Sequence, residues 1–436
     1  MSIISFARAG NLEAHLKRVE HLGAQGTVPV GNVLYFVLVE QLDQHTTVVT
    51  MKDITCMGYT KSYLNHDRLS QQEGGVKGTK FLLEHGHLLQ KVKMLKAPVL
   101  LKRNPKTGVC LEVWEGRKVI QSLKVREYPG SIADFEQAVG EEMPDLTSRL
   151  RGFYWRAACN CVKLFSKPEN NPNVRSQNNQ PLMLTNEGME LTLTAFYKEH
   201  VHMAVTCTLP LLDAPLVEGG VLVPLANKFI NRMLNLGGEY VYLGYDSEKG
   251  CLGFASEDFE CTTLQQETSG LVERFHQQFV SSLQTVCKRY VTVKEAWERV
   301  GACQPEAVEG VGVVLLEKEG DLQVFPERNL YGENYALISI LPGLNEGEWV
   351  PIIATHEHLK AALGTLWTLI RQLRISVDLH PPACLELMQA GELMVLRLGL
   401  SVQTKEGNQL RDELVMRVYV RVQACAQALD LLDLRE

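Results

Sequence analysis

The chain has 436 residues, of which 45% are hydrophobic and 22% charged, and its formal net charge is −7. This is ordinary globular composition, and it excludes a collagenous, coiled-coil or wholly disordered chain. No apolar run reaches the roughly 18–20 residues that a membrane helix needs, and the first ten residues lack the charged and apolar regions of a signal peptide, so a cytoplasmic protein with no membrane partner is expected.

The predicted elements follow in chain order. Residues 11–23 carry a helical stripe of Leu12, Leu16, Val19 and Leu22, with Asn11 as a candidate N-cap. Residues 29–40 and 46–51 are strand-like. Gly74, Gly75 and Gly78 mark a flexible loop around Lys77, and Lys80 follows it. Residues 99–101 read as a strand. Residues 109–114 and 118–125 read as a hairpin turning at Glu115 and Gly116. Between Lys77 and Arg126 stand 12 basic residues against only Glu84, Glu112 and Glu115. The first 165 residues carry a net charge of +6 and the remainder −13.

Residues 131–165 read as helical. Ser131 and Asp134 resemble a capping box, and Pro144 suits the first turn of a second helix striped by Leu146, Leu150, Phe153, Ala157, Cys161 and Leu164. On that helix Cys159 and Cys161 would point apart and could not chelate one metal. Residues 166–181, rich in Asn, Gln and Pro, read as a linker or long loop. The expected organisation is a basic N-terminal α/β domain (1–165), that linker (166–181), a central α+β domain (182–300) and an acidic C-terminal α+β domain (301–436).

Beyond the linker, residues 189–193 and 201–209 alternate as strands, and 224–236 read as a helix ending at Gly237 and Gly238. A hairpin is expected around Asp246 to Gly250. Residues 263–299 read as largely helical. Residues 311–325 form a predicted hairpin turning at Lys318, Glu319 and Gly320, and 356–373 a helix with Thr355 as N-cap. Two long strands, 393–402 and 414–422, close the chain. The Lys-Glu-Gly turn occurs twice but at no fixed period, so no internal repeat is read. The fold class is α+β and multi-domain, mostly antiparallel hairpins mixed with helices.

Common catalytic signatures are absent: G-x-S-x-G, H-E-x-x-H, the nucleotide-binding P-loop and a G-x-G-x-x-G opening a helix. The 11 cysteines are scattered, odd in number and without C-x-x-C, which fits reduced thiols in a reducing compartment. Three H-x-H pairs occur, at His85/His87, His200/His202 and His356/His358. His200 and His202 lie in strand-like sequence, where both imidazoles would share a face and could hold one metal, although no third ligand is identifiable. No cofactor is expected. On the last strands Arg397, Arg417, Tyr419 and Arg421 share a polar face that suits phosphates or a stacked base.

These observations point to a non-enzymatic assembly or binding subunit, a homo- or hetero-oligomer whose basic surface meets nucleic acid or an acidic protein. Candidate contacts are Lys77, Lys80, Lys91, Lys93, Lys96, Lys102, Arg103 and Lys106, with Arg397, Arg417, Tyr419 and Arg421. Two other readings are a metal-dependent hydrolase or nuclease built on the H-x-H histidines, and a purely structural self-assembling protein. Limited proteolysis should cut first within residues 166–181 and leave an N-terminal fragment of about 165 residues, because exposed polar loops are nicked before packed elements. First cuts elsewhere would displace the linker assignment.

Overall fold

The computed structural model describes residues 2–6, 8–19, 35–52, 58–65, 74–95, 98–115, 118–139, 143–165, 182–197, 202–216, 219–223, 226–265, 270, 275–280, 283–303, 312–327, 335–374, 381–406 and 409–425. Strand β1 (Ile3–Phe6) leads into helix α1 (Ala9–Val19) and a meander of β2 (Phe36–Gln41), β3 (Thr46–Lys52) and β4 (Tyr59–Asn65). After the two-residue strand β5 (Gly74–Gly75), the same order returns as β6 (Lys80–Glu84), α2 (His85–Lys93), β7 (Val99–Asn104), β8 (Gly108–Glu115) and β9 (Lys118–Lys124). Helix α3 (Ile132–Val139) intervenes.

The order then repeats four more times. The third copy is β10 (Ser148–Arg151), α4 (Gly152–Phe165), β11 (Leu182–Glu187), β12 (Glu190–Tyr197) and β13 (Met203–Pro210). The fourth is β14 (Gly219–Val223), α5 (Ala226–Met233), β15 (Tyr240–Asp246), β16 (Cys251–Ala255) and β17 (Phe259–Leu264). After a π-helical turn at His276–Val280 comes the fifth: β18 (Gln284–Val291), α6 (Val293–Ala302), β19 (Gly312–Lys318), β20 (Asp321–Pro326) and β21 (Ala336–Ser339). The sixth is β22 (Ile352–Thr355), α7 (His356–Gln372), β23 (Ala383–Ala390), β24 (Leu393–Glu406) and β25 (Gln409–Ala424).

The chain is therefore built on a β-α-β-β-β repeat of roughly 70 residues, which corrects the expectation of no repeat. What recurs is topology. Residue identity, helix length and loop length all vary, so no sequence period survives.

Consecutive repeats are paired by exchange of their first strands. β1 joins β7, β8 and β9, while β6 joins β2, β3 and β4. Likewise β10 joins β15 and β14 joins β11, and β18 joins β23 while β22 joins β19. The last strands of the meanders then fuse sheets: β4 pairs with β17, and β13 with β25. The result is a five-stranded, an eight-stranded and a twelve-stranded sheet, whose recorded pairings are all antiparallel.

The chain forms two compact units, Met1–Gly152 with Val223–Gln265, and Phe153–Leu222 with Gln266–Glu436. In the first, α1 lies against α2 and buries Leu12, Leu16 and Val19 among Val37, Val39, Phe81, Leu83, Leu101 and Leu111. Each such side chain contributes about 1.5–3 kcal/mol through burial. In the second, α7 packs on α6 and buries Leu359, Leu363, Leu366 and Ile370. A further cluster there gathers Met183, Phe196 and Val395 around Phe275, Phe279 and Tyr419.

Several predicted elements stand. The capping box of α3 is reciprocal: the Ser131 N–H donates to Asp134 Oδ2 at 2.9 Å, and the Asp134 N–H donates to Ser131 Oγ at 3.2 Å. The β19–β20 turn places Glu319 and Gly320 at φ 55 and 85, the left-handed pair that a two-residue hairpin requires. Other readings are corrected. The second helix predicted from Pro144 begins only at Gly152, because residues 148–151 pair with β15; Leu150 is buried from a strand, and Phe153 is exposed. The helical reading of 263–299 gives way to β18, whose Thr285, Val286, Tyr290 and Val291 suit a pleated surface, and only residues from Val293 onward form α6. Gly74 and Gly75, read as loop, pair with β1. Residues 166–181 lie outside the described residues.

Arg289 on β18 fastens three segments of the second unit. Its Nε and Nη2 donate to Glu317 Oε2 at 2.9 and 2.6 Å, and the rest of the guanidinium reaches the carbonyls of Lys288, Glu346 and Gly347 at 2.8–3.0 Å. Arg289 is 5% exposed. Arg289→Met should destabilise the protein by about 2 kcal/mol in urea unfolding, because it removes the charge partner of the Glu317 carboxylate and the guanidinium donor of the Gly347 carbonyl, while the Lys288 and Glu346 carbonyls keep their backbone bonds to each other. A loss below about 1 kcal/mol would mean that water replaces the guanidinium at no cost.

Candidate functional site

The basic stretch does not form one surface. Lys80 is held by Glu136 at 2.6 Å and Glu40 at 3.4 Å, and the bond to Glu136 raises its pKa. Lys102 faces Glu112 at 3.8 Å and lies over the Trp114 ring, while Arg103, next along β7 and so on the opposite face, binds Glu127 at 2.5 Å. Lys77 and Lys106 occupy exposed turns, and Lys91 and Lys93 lie on α2; among the described residues these four have no carboxylate partner. Lys96 lies outside the described residues.

Positive charge is concentrated instead on the helices of the repeat. Each of the six carries two cations: Lys17 and Arg18, Lys91 and Lys93, Arg156 and Lys163, Lys228 and Arg232, Lys294 and Arg299, Lys360 and Arg371. Their only acids are Glu13, Glu295, Glu298 and Glu357, in a chain that is net acidic. Arg232 is an exception in placement. It is buried, and desolvation lowers its pKa to about 10. Lys17 and Lys294 reach Glu13 and Glu298 one helical turn away. Lys91, Lys93, Arg299 and Lys360 have no carboxylate partner among the described residues. Reading the chain for a dense basic run missed this pattern; summing charge helix by helix would have found it.

The C-terminal strands carry the predicted alternation. Leu414, Met416, Val418, Val420 and Val422 are buried on one face. On the other, the register sets Arg397 beside Tyr419, Gly399 beside Arg417 and Val395 beside Arg421. The Tyr419 ring is enclosed by Phe275 and Phe279, with centroids 5.9 and 5.7 Å away. Arg397 donates from Nε to Glu386 Oε2 at 2.8 Å, and its Nη2 binds the same carboxylate.

The histidine pairs part company. His85 is buried with Nε2 2.9 Å from the Leu16 carbonyl, tying α2 to α1. His87 Nδ1 accepts the Arg126 N–H at 3.1 Å, and desolvation, with Arg126 and Lys91 nearby, lowers its pKa. His356 Nε2 lies 2.9 Å from the Val300 carbonyl. His200 lies outside the described residues, while His202 is exposed with its ring 6.4 Å from that of His358. Among the described residues no three His, Cys, Asp or Glu side chains converge as a metal site. The described cysteines are free thiols and all but Cys384 are buried; burial raises Cys159 and Cys161 and pushes Cys207 up to about 12.

Two sheet edges stand out. Of the six meanders, four have last strands joined in pairs, and among the described residues β9 and β21 are left as edges. Both expose apolar side chains: Val119 (42%) and Ile120 (59%) on β9, Leu337 (39%) on β21 and Tyr335 (48%) just before it. Lys118 and Lys124 flank the first, and Asp321 lies opposite Ser339 at the second. No helix among the described residues is long and apolar enough to cross a membrane.

No protein-family model matches the chain, and no curated protein does. Solved structures match it along its length. The beta subunit from DNA polymerase of Streptococcus pyogenes superposes with a TM-score of 0.66 at 11% identity, covering 97% of this chain and 100% of that one. The DNA polymerase sliding clamp from Bacillus subtilis gives 0.63 at 12% identity over 98% and 100%, and that from Pseudomonas aeruginosa 0.62 at 15% over 97% and 100%. At these identities the likeness is one of fold: over nearly its whole length, the chain has the fold of the DNA polymerase sliding clamps.

Proposed function

We propose that this chain is a non-catalytic, clamp-like subunit that assembles with copies of itself and holds nucleic acid against the exposed faces of its repeat helices. The observation that carries this reading is the excess of twelve cations over four acids on the repeat helices of a chain whose net charge is −7, with Lys91, Lys93, Arg299 and Lys360 lacking a carboxylate partner among the described residues. Cations without a carboxylate partner meet a phosphate backbone without reading its sequence. The likeness to sliding clamps supports it. Assembly would follow the rule used twice within the chain, in which the last strand of one meander pairs with the last strand of another. β9 and β21 are the pair left over, and their exposed apolar residues and opposite flanking charges suit a head-to-tail contact between copies.

Nucleic-acid binding is tested by anisotropy of labelled duplex DNA across a salt series. Replacing Lys91, Lys93, Arg299 and Lys360 together with Gln should lower the slope of log affinity against log salt by about 3–4, at about 0.9 for each phosphate contact. Replacing Lys102, Arg103 and Lys106 with Ala should change it by no more than about 1, because two of those cations already hold carboxylates. The reverse ranking would return the interface to the basic stretch.

Assembly is tested by light scattering. The parent protein should run as an oligomer, and Ile120→Glu or Leu337→Glu should each release monomer while leaving the circular dichroism spectrum unchanged. A monomeric parent protein would exclude the edge-to-edge contact.

A further inference from the structure

A groove of about 420 Å³ lies on the outer face of β18, β23, β24 and β25, and the helix-borne cations take no part in it. Its floor is set by strand register. One row across the sheet reads Lys288, Glu386 and Arg397 and ends at Tyr419, which Phe275 and Phe279 cover, and the next reads Tyr290, Cys384, Gly399, Arg417. Pro381, Pro382, Ser401, Gln403 and Val415 complete the walls. We infer that this groove docks an extended acidic segment of a partner protein, with one carboxylate seated over Gly399 against Arg417.

Two observations carry the inference. The first is charge. Lys288 is held by Glu346 at 2.7 Å and Arg397 by Glu386, whereas half-buried Arg417 has no acidic partner among the described residues.

The second is Gly399. It interrupts the middle of a long strand although its backbone needs no glycine: an added Cβ would lie 3.9 Å from the Cys384 carbonyl oxygen and 4.0 Å from Cys384 Cβ, at ordinary contact distance. A glycine in a strand interior weakens the strand, and where no turn or bulge demands it, it leaves room for something to approach. Here it leaves a cup between Arg397, Ser401, Cys384 and Arg417. Glu386 and Glu346 beside the cup leave only a small positive excess, which suits isolated carboxylates and opposes the continuous charge of a nucleic-acid backbone.

The test uses the full chain and a fluorescein-labelled, end-blocked peptide of alternating threonine and valine carrying one central aspartate. Anisotropy should show binding with Kd at or below about 1 mM, and the asparagine version of the peptide should bind at least about tenfold more weakly. Arg417→Gln should cost a similar factor. Gly399→Val should also block the peptide while leaving the melting temperature unchanged or raised, because valine suits a strand. The inference fails if the aspartate peptide does not bind at 1 mM, or if both variants bind it like the parent. It also fails if oligothymidylate occupies the groove with the same dependence on Arg417, or if equimolar inorganic phosphate displaces the peptide. Loss of duplex binding by the helix-cation variant would leave all these outcomes unchanged, so the two readings stand or fall separately.

Discussion

The architecture rests on the exchange of first strands between paired repeats. A single repeat offers a helix and a three-stranded meander, but the strand that should complete its sheet belongs to the neighbour. β1 lies beside β7, and β6 beside β2, so neither half of the pair has a finished sheet edge or a covered apolar face without the other. The same reciprocity ties α1 to α2 through the bond between His85 and the Leu16 carbonyl. Backbone groups that would otherwise be stranded at a sheet edge are paired across this swap, and such pairing is what buried sheets require.

Charge is distributed by element. Strand cations that fall near the core are neutralised locally: Lys102 by Glu112, Arg289 by Glu317, Arg397 by Glu386. Among the helix cations Lys93, Lys294, Arg299 and Arg371 are exposed, and Lys91, Lys93, Arg299 and Lys360 have no carboxylate partner among the described residues. A net acidic chain can therefore present cationic helices, because its acids are placed on strands and turns. Net charge alone would have argued against any polyanion, because it averages over elements of opposite sign.

The hairpins were legible because their signals are local. β8 with β9, β19 with β20 and β24 with β25 each combine period-two alternation with a turn whose residues announce it. The shared face of Arg397, Arg417, Tyr419 and Arg421 followed from the same alternation. What stayed hidden was non-local. The repeat conserves a path through space while its helices range from the eight residues of α5 to the seventeen of α7. Residues 148–151 could satisfy a helical stripe as well as a strand, and only pairing with β15 decides between them. Tyr419 looked available for stacking, yet Phe275 and Phe279, more than a hundred residues earlier, cover it. Lys91 and Lys93 stand out in the sequence for their density, and that they belong to a repeat helix, as ten other cations do, emerges only from the fold.

The reach of the strand exchange also bears on how the protein is made. Ile3 in β1 pairs with Lys102 in β7, so β1 waits for about a hundred more residues to leave the ribosome before its four-residue partner exists. At roughly 5–20 residues per second, that interval is roughly 5–20 s, long compared with the collapse of a small chain. During it β1, whose Ile4 and Phe6 are fully enclosed in the finished protein, has only the two-residue β5 to pair with. Each later pair of repeats passes through the same exposed interval, which makes synthesis the stage at which this chain is most open to aggregation and to chaperones.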